Sequence, residues 1–230
     1  MSRFTINITY LSIMKTQPIL SIIVFFAIPL LSSAQELNPA PDDPKLLKEV
    51  EAEKELEWKI LANPADLSVE KDVDEFIEII ANAEDITDGV RKEEVQVMKK
   101  LQSLLKLKPE KLTTKDLLGL KRVRSIQISG LGVFSYPYFN CRFKNTDKQT
   151  FFEKTTGSQR KSGLIFPNTE STLVFLGAST VNEEGQRQYS GITKSIDKEH
   201  DQVGVFIKRG KSILAIFPKK GSRYEVYEFK

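Results

Sequence analysis

Gln202–Phe229 reads QVGVFIKRGKSILAIFPKKGSRYEVYEF, and this stretch decides the fold. Three short runs rich in Val, Ile, Phe and Tyr are cut by Arg209-Gly210 and by Lys220-Gly221-Ser222. Such runs, joined by tight turns, make neighbouring antiparallel strands, here 202–208, 212–217 and 223–229. Upstream, the same pattern places strands at 122–128, 138–144, 149–156, 160–166 and 171–177, with Thr156-Gly157-Ser158 as a further hairpin turn. Within 138–144, Phe139, Cys141 and Phe143 share one face and Asn140, Arg142 and Lys144 the other. Eight antiparallel strands in chain order close most simply into an up-and-down barrel of the ligand-holding kind. A twisted open sheet covered by helices is the competing arrangement. No period of 20–50 residues repeats, so no solenoid is expected.

The chain before this meander is of another kind. Residues 35–120 hold 13 basic and 21 acidic side chains, net −8, whereas 121–230 hold 19 basic and 10 acidic, net +9. Ten of the 12 Gly and ten of the 14 Phe follow Leu120. The acidic part reads as helices. Leu46/Leu47, Val50, Leu56 and Ile60 recur at near-helical spacing up to Pro64, with Glu49, Glu53 and Glu57 on a solvated side. A second helix starts after Ser68 as N-cap, with Val69, Val73, Phe76, Ile77 and Ile80 inward. A third spans about 90–107, with Val95, Met98, Leu101 and Leu105 inward and Pro109 closing it. Thr113-Thr114 caps one further turn. The opposite charges of the two halves suggest helices held against the barrel by charge complementarity.

At the start of the chain, Lys15 precedes an apolar run, Ile19 to Leu31, and Ser32-Ser33-Ala34 offers small residues for cleavage. That is the pattern of a secretory signal over residues 1–34, with Met14 an alternative start and Gln35 the first mature residue. The run is shorter than the roughly 20 residues of a spanning helix, so no stable membrane anchor is expected after cleavage. No Cys stands at the cleavage site to carry a lipid. The expected organisation is a signal peptide (1–34), an acidic helical segment (35–120) and a basic antiparallel β-barrel (121–230), α+β overall, exported to the periplasm or beyond.

Several chemistries are improbable. With one Cys and one His, neither a disulfide framework nor a structural zinc site is expected, and no cofactor is. Gly210-Lys211-Ser212 lacks the earlier glycine of a phosphate loop, since position 205 is Val. Gly130-Leu131-Gly132 lacks the third glycine of a dinucleotide site, and no G-x-S-x-G elbow occurs. His200, between charged neighbours, reads as solvated, and Cys141, between Phe139 and Phe143, as an inert core thiol. The basic residues of the β half form no dense run, and export argues against a nucleic-acid partner.

One cluster exceeds ordinary filler: Phe152-Glu153-Lys154-Thr155-Thr156-Gly157-Ser158-Gln159-Arg160, then Gly163. Ser158 serves the turn. Gln159 and Arg160 offer an amide and a planar guanidinium fork suited to a carboxylate or phosphate. Alternatively Arg160 pairs with an internal acid such as Asp201 or Glu225. The long connection 178–202 brings Asn182, Glu184, Arg187, Tyr189 and Asp201 as further candidates at a barrel mouth.

From Trp58 onward the chain resembles a family of exported bacterial proteins, the domain of unknown function numbered 4893. Trp58 and Asp66, Arg122 to Ile128 leading into Gly130, Tyr136-Pro137 and Cys141-Arg142-Phe143 carry the resemblance. So do Lys154 to Arg160 with Gly163, Phe175-Leu176-Gly177, Tyr189 and Asp201-Gln202-Val203-Gly204. The chain departs at Val123-Arg124, where the family pattern implies a second cysteine, so a disulfide to Cys141 lacks its partner here. The ending Ser-Ala-Gln of the signal resembles that of exported Bacteroidota proteins. The resemblance implies export and carries over no reaction.

The expectation is therefore an eight-stranded, lipocalin-like (calycin-type) barrel acting as a non-catalytic binding module. A small amphipathic or apolar ligand would sit inside, bordered by Ser158, Gln159, Arg160, Tyr189 and Asp201. A barrel filled by Phe and Leu would leave it no room. The alternative is an envelope protein partner docking on the basic β surface. An enzyme would need Arg160, Tyr189 and Asp201 or His200 to converge on one concave site.

Overall fold

A computed structural model describes residues 57–84, 90–129, 132–146, 149–219 and 223–230. The signal segment, most of the first helix, the Gly130-Leu131 pair and the Lys220-Gly221-Ser222 turn lie outside the described residues. Nine strands follow one another: β1 (Arg122–Ser129), β2 (Gly132–Ser135), β3 (Phe139–Asn145), β4 (Thr150–Lys154), β5 (Gln159–Pro167), β6 (Thr172–Val181), β7 (Asp201–Arg209), β8 (Ser212–Lys219) and β9 (Arg223–Phe229). From β3 to β9 each strand pairs antiparallel with the next, and β1 pairs with both β3 and β9. Eight strands thus close into a barrel. All eight expected strands are present.

β2 is the addition. It pairs with the far end of β1, Ile126 facing Ser135, while β3 pairs with the near end, Val123 facing Phe139. β2 and β3 are one edge of β1 interrupted at Tyr136-Pro137-Tyr138. Proline removes a ladder donor there and breaks the run.

Alternation along each strand divides the residues between two apolar layers. The inward layer includes Phe143, Phe152, Ile165, Phe175, Phe206, Phe217, Tyr227 and Phe229. Most of their rings meet edge to face or tilted, Phe217 to Tyr227 at 5.1 Å and Phe143 to Phe152 at 5.0 Å between centroids, and Phe206 stacks on Phe229 at 5.4 Å. Gly177 and Gly204 make room for them: a Cβ would lie 2.2 Å from the Phe175 ring and 2.5 Å from that of Phe217. Leu112 and Leu117 belong to the same layer. The segment carrying them is tied across the lower end by Glu110 N–H to Lys208 O and Leu112 N–H to Glu170 O. Among the described residues the lower barrel is packed with phenylalanine side chains, and the polar half lies above them.

The outward layer is the helical one. α1 (Val69–Asn82) and α2 (Val95–Leu105) pack together, and α1 lies on β7 and β8. Val73, Phe76, Ile80, Met98, Leu101 and Leu105 meet Val205, Ile207, Leu214, Ile216 and Val226 of the barrel wall. Both helices follow the expected spacing, although Val95 is only half-buried. Ser68 precedes α1 but makes no side-chain cap; its hydroxyl turns to Asp72 instead, at 3.1 Å. α3 (Thr114–Leu117) opens as expected on Thr113, whose N–H and hydroxyl both donate to Asp116. In the helical turn over 57–61, Ile60 is exposed; Trp58 is the buried residue, donating Nε1–H to Asn168 Oδ1 at 3.0 Å.

The helices are not held by charge of one sense. Asp116 pairs with Lys208 as the charge split suggests, but Lys100 of α2 pairs with Glu228 of β9, the reverse sense. The layer between them is apolar, and hydrophobic burial holds it.

Candidate functional site

The upper half of the barrel differs from the lower. Ser125, Gln127, Lys154, Lys161, Lys219 and Glu225 share the inward phase with the phenylalanines below, and Gln159, Gln202 and Arg223 complete the rim. An open-mouthed chamber of about 470 Å³ lies there. Its lining includes Gln127, Gln159, Lys161, Gln202, Lys219, Arg223 and Glu225, with Ile128, Phe134, Val181 and Tyr224 as an apolar margin.

The floor is a buried ion cluster. Glu225 accepts from Ser125 Oγ at 2.6 Å, from Lys161 Nζ at 2.6 Å and from Lys219 Nζ at 2.9 Å. Burial alone would raise the Glu225 carboxyl, but the two lysine charges and these hydrogen bonds outweigh it and hold the group well below the usual carboxylate range. Burial pulls the Lys161 ammonium down, with Glu225 opposing it. One carboxylate is thus shared by two ammonium groups, and Arg223 stands with them in the chamber lining. The charged lining is predominantly basic, a composition that suits anions.

The hairpin 154–160 closes one side of this chamber. Lys154 is buried, donates to Gln159 O at 2.6 Å, and lies over the rings of Phe139 (4.4 Å) and Tyr227 (6.0 Å). Gly157, at φ 91°, folds over it; a Cβ there would stand 3.3 Å from Lys154 Nζ and 3.1 Å from Phe139. Arg160 points the other way and donates to the carbonyls of Asn182 and Glu184, anchoring the start of the long loop.

The family model described as "Domain of unknown function (DUF4893)" matches residues 58–229. The chain belongs to that family. The DUF4893 match begins at Trp58, the buried link between the helical layer and the barrel, and ends on β9, so it takes in both layers. No curated protein and no solved structure matches.

In this DUF4893 domain the five expected site residues fall into two groups. Gln159 faces the chamber and meets Gln127 across it at 3.3 Å, while Arg160 touches its margin with its guanidinium turned to the loop carbonyls. Ser158 is exposed in the turn, its carbonyl accepting from Asn182 N–H. Tyr189 and Asp201 belong to a separate polar knot. Tyr189 is fully buried, donates to Asp66 at 2.5 Å and accepts from Asn63 N–H at 2.7 Å. Asp201 accepts from Ser190 N–H and Oγ–H and from Asn63 Nδ2. The knot ties the stretch after the first helical turn to the long loop. Arg160 pairs with neither Asp201 nor Glu225; it holds two carbonyls. Cys141 is a buried free thiol, pushed up to about 12 mainly by burial, as expected of a core residue.

Lys154, Lys161, Lys219, Arg223 and Glu225 were not among the expected site residues. Their signal was strand phase: Lys161 stands two residues before Gly163 and four before Ile165, and Glu225 two before Tyr227, so each charge lies on a core face. Among the described residues no group of three or more His, Cys, Asp and Glu is arranged to hold a metal ion.

Proposed function

We propose that this protein is an exported, non-catalytic binding module that holds the anionic head of a small amphipathic ligand in the barrel mouth. The observation that carries the reading is the predominantly basic lining of the chamber, Lys161, Lys219 and Arg223 beside Glu225, above a barrel packed with phenylalanine. Lys219, half-exposed, and Arg223 at the rim are the cations an entering anion meets first, with the amides of Gln127, Gln159 and Gln202 beside them. Phe134, Val181 and Ile128 at the margin suit a short apolar tail. Export rests on Lys15, the Ile19–Leu31 run and Ser32-Ser33-Ala34.

Native mass spectrometry of the purified protein, followed by denaturing extraction, tests this. An acidic amphiphile should co-purify and be lost from Lys219→Ala/Arg223→Ala. A neutral compound, or retention in the double variant, would overturn the reading.

A further inference from the structure

The barrel wall parts beside the chamber. β7 and β8 pair from Val205–Ile216 down to Arg209–Ser212; above that level, among the described residues, β7 pairs only with β6 and β8 only with β9. Pro218, which has no N–H to give to a ladder, stands just above the last of these pairs. Outside the break lies a second open space of about 550 Å³, bordered by the start of α1, residues 198–203 and the ends of β8 and β9. Val203 and Pro218 line this groove and not the chamber, whereas Gln202, Lys219 and Arg223 line both. The mouth cations therefore stand between two spaces and not at the end of one.

The two spaces differ in chemistry. The chamber has the apolar margin of Ile128, Phe134 and Val181. The groove has the carboxylates of Asp66, Asp72, Glu199 and Asp201 and, besides the shared cations, Lys198. Asp66 and Asp201 are engaged in the polar knot, while Glu199 is exposed and Asp72, half-buried, holds only the Ser68 hydroxyl. Ionised carboxylates accept hydrogen bonds and give none, so this space suits a neutral group with hydroxyl hydrogens to donate.

We propose that the ligand is a single-chain phosphodiester whose second ester arm is a small polyol such as glycerol. This rests on the anion-binding reading and names its substrate class. The chain lies along the apolar margin of the chamber, the phosphate meets Lys219 and Arg223 at the break, and the polyol passes out into the groove, donating to Asp72 and Glu199. A diester carries its charge in mid-molecule, with one ester oxygen leading to each space. A carboxylate or a phosphate monoester ends at the cations and leaves the groove to water.

Calorimetry on the whole protein tests this with a medium-chain lysophosphatidylglycerol and the lysophosphatidic acid of the same chain. The glycerol diester should bind about 10-fold more tightly, the scale of one or two added hydrogen bonds, although the monoester carries more charge. Ala65→Trp, which fills the groove from an exposed position, and Asp72→Ala/Glu199→Ala should each remove that advantage and leave lysophosphatidic acid binding within about 2-fold of wild type. Equal affinity for the two lipids, or an advantage that survives in both groove variants, overturns the inference while leaving the anion reading in place. Lysophosphatidic acid binding unchanged in Lys219→Ala/Arg223→Ala, or binding of neither lipid, overturns both.

Discussion

Lys154 and Lys161 show how a single phase decision determines a residue's role. A lysine at either position would ordinarily be solvated, yet both point into the barrel because their strand neighbours do. That has a measurable consequence. Lys154 keeps its proton down to about 8 when folded, against 10.5 ordinarily. Below pH 8 both states are protonated and the cost of burying the charge is fully present. Between 8 and 10.5 the unfolded state holds the extra proton, so stability rises with pH, by roughly 3 kcal/mol from this group. Urea unfolding of wild type and Lys154→Met should therefore give stability curves that diverge over that window, the wild type gaining; parallel curves would contradict the assignment. The carboxylate and the cations were visible as letters, but their convergence depends on strand register that brings β1, β5, β8 and β9 around one point. No local pattern encodes that.

At the scale of elements, the meander was legible because each strand is short, apolar on one face and bounded by turn residues. β2 was not, since four residues before Tyr136-Pro137 look like loop, and only pairing with β1 makes them a strand. The paired glycines Gly163 and Gly177 show a constraint of the same kind. A Cβ on Gly163 would stand 2.4 Å from Gly177 Cα and from Leu176 O, backbone atoms that cannot turn aside. Gly163→Ala should destabilise by roughly 3 kcal/mol in denaturant titration, as overpacking of a rigid site does. A loss below roughly 0.5 kcal/mol, the scale of a neutral surface change, would mean the strands lie farther apart than described. In the hairpin 154–160, the Arg160 fork holds the loop carbonyls of Asn182 and Glu184, while Lys154 turns into the barrel.

For the whole molecule, the −8 and +9 halves suggested electrostatic attachment, whereas the structure joins them through an apolar layer with Trp58 at its heart. Trp58 is the sole tryptophan and reports that layer alone. Raising salt from 0.1 to 1 M shortens screening from about 10 Å to about 3 Å. Trp58 fluorescence and far-UV circular dichroism should still report one coincident thermal transition at both salts; early loss of the Trp58 signal at high salt would restore the electrostatic attachment. The positive charge of the β half instead gathers partly at the barrel mouth, above a lower interior packed with phenylalanine side chains. That contrast is the central claim, and one pair of titrations tests it most directly: calorimetry with a medium-chain carboxylate and with the alcohol of the same chain length. The carboxylate should bind and the alcohol should not, with affinity falling about 10-fold or more in Lys219→Ala/Arg223→Ala, the scale of losing charge-assisted hydrogen bonds. Equal binding of alcohol and carboxylate would place the ligand in an apolar cavity and contradict the account.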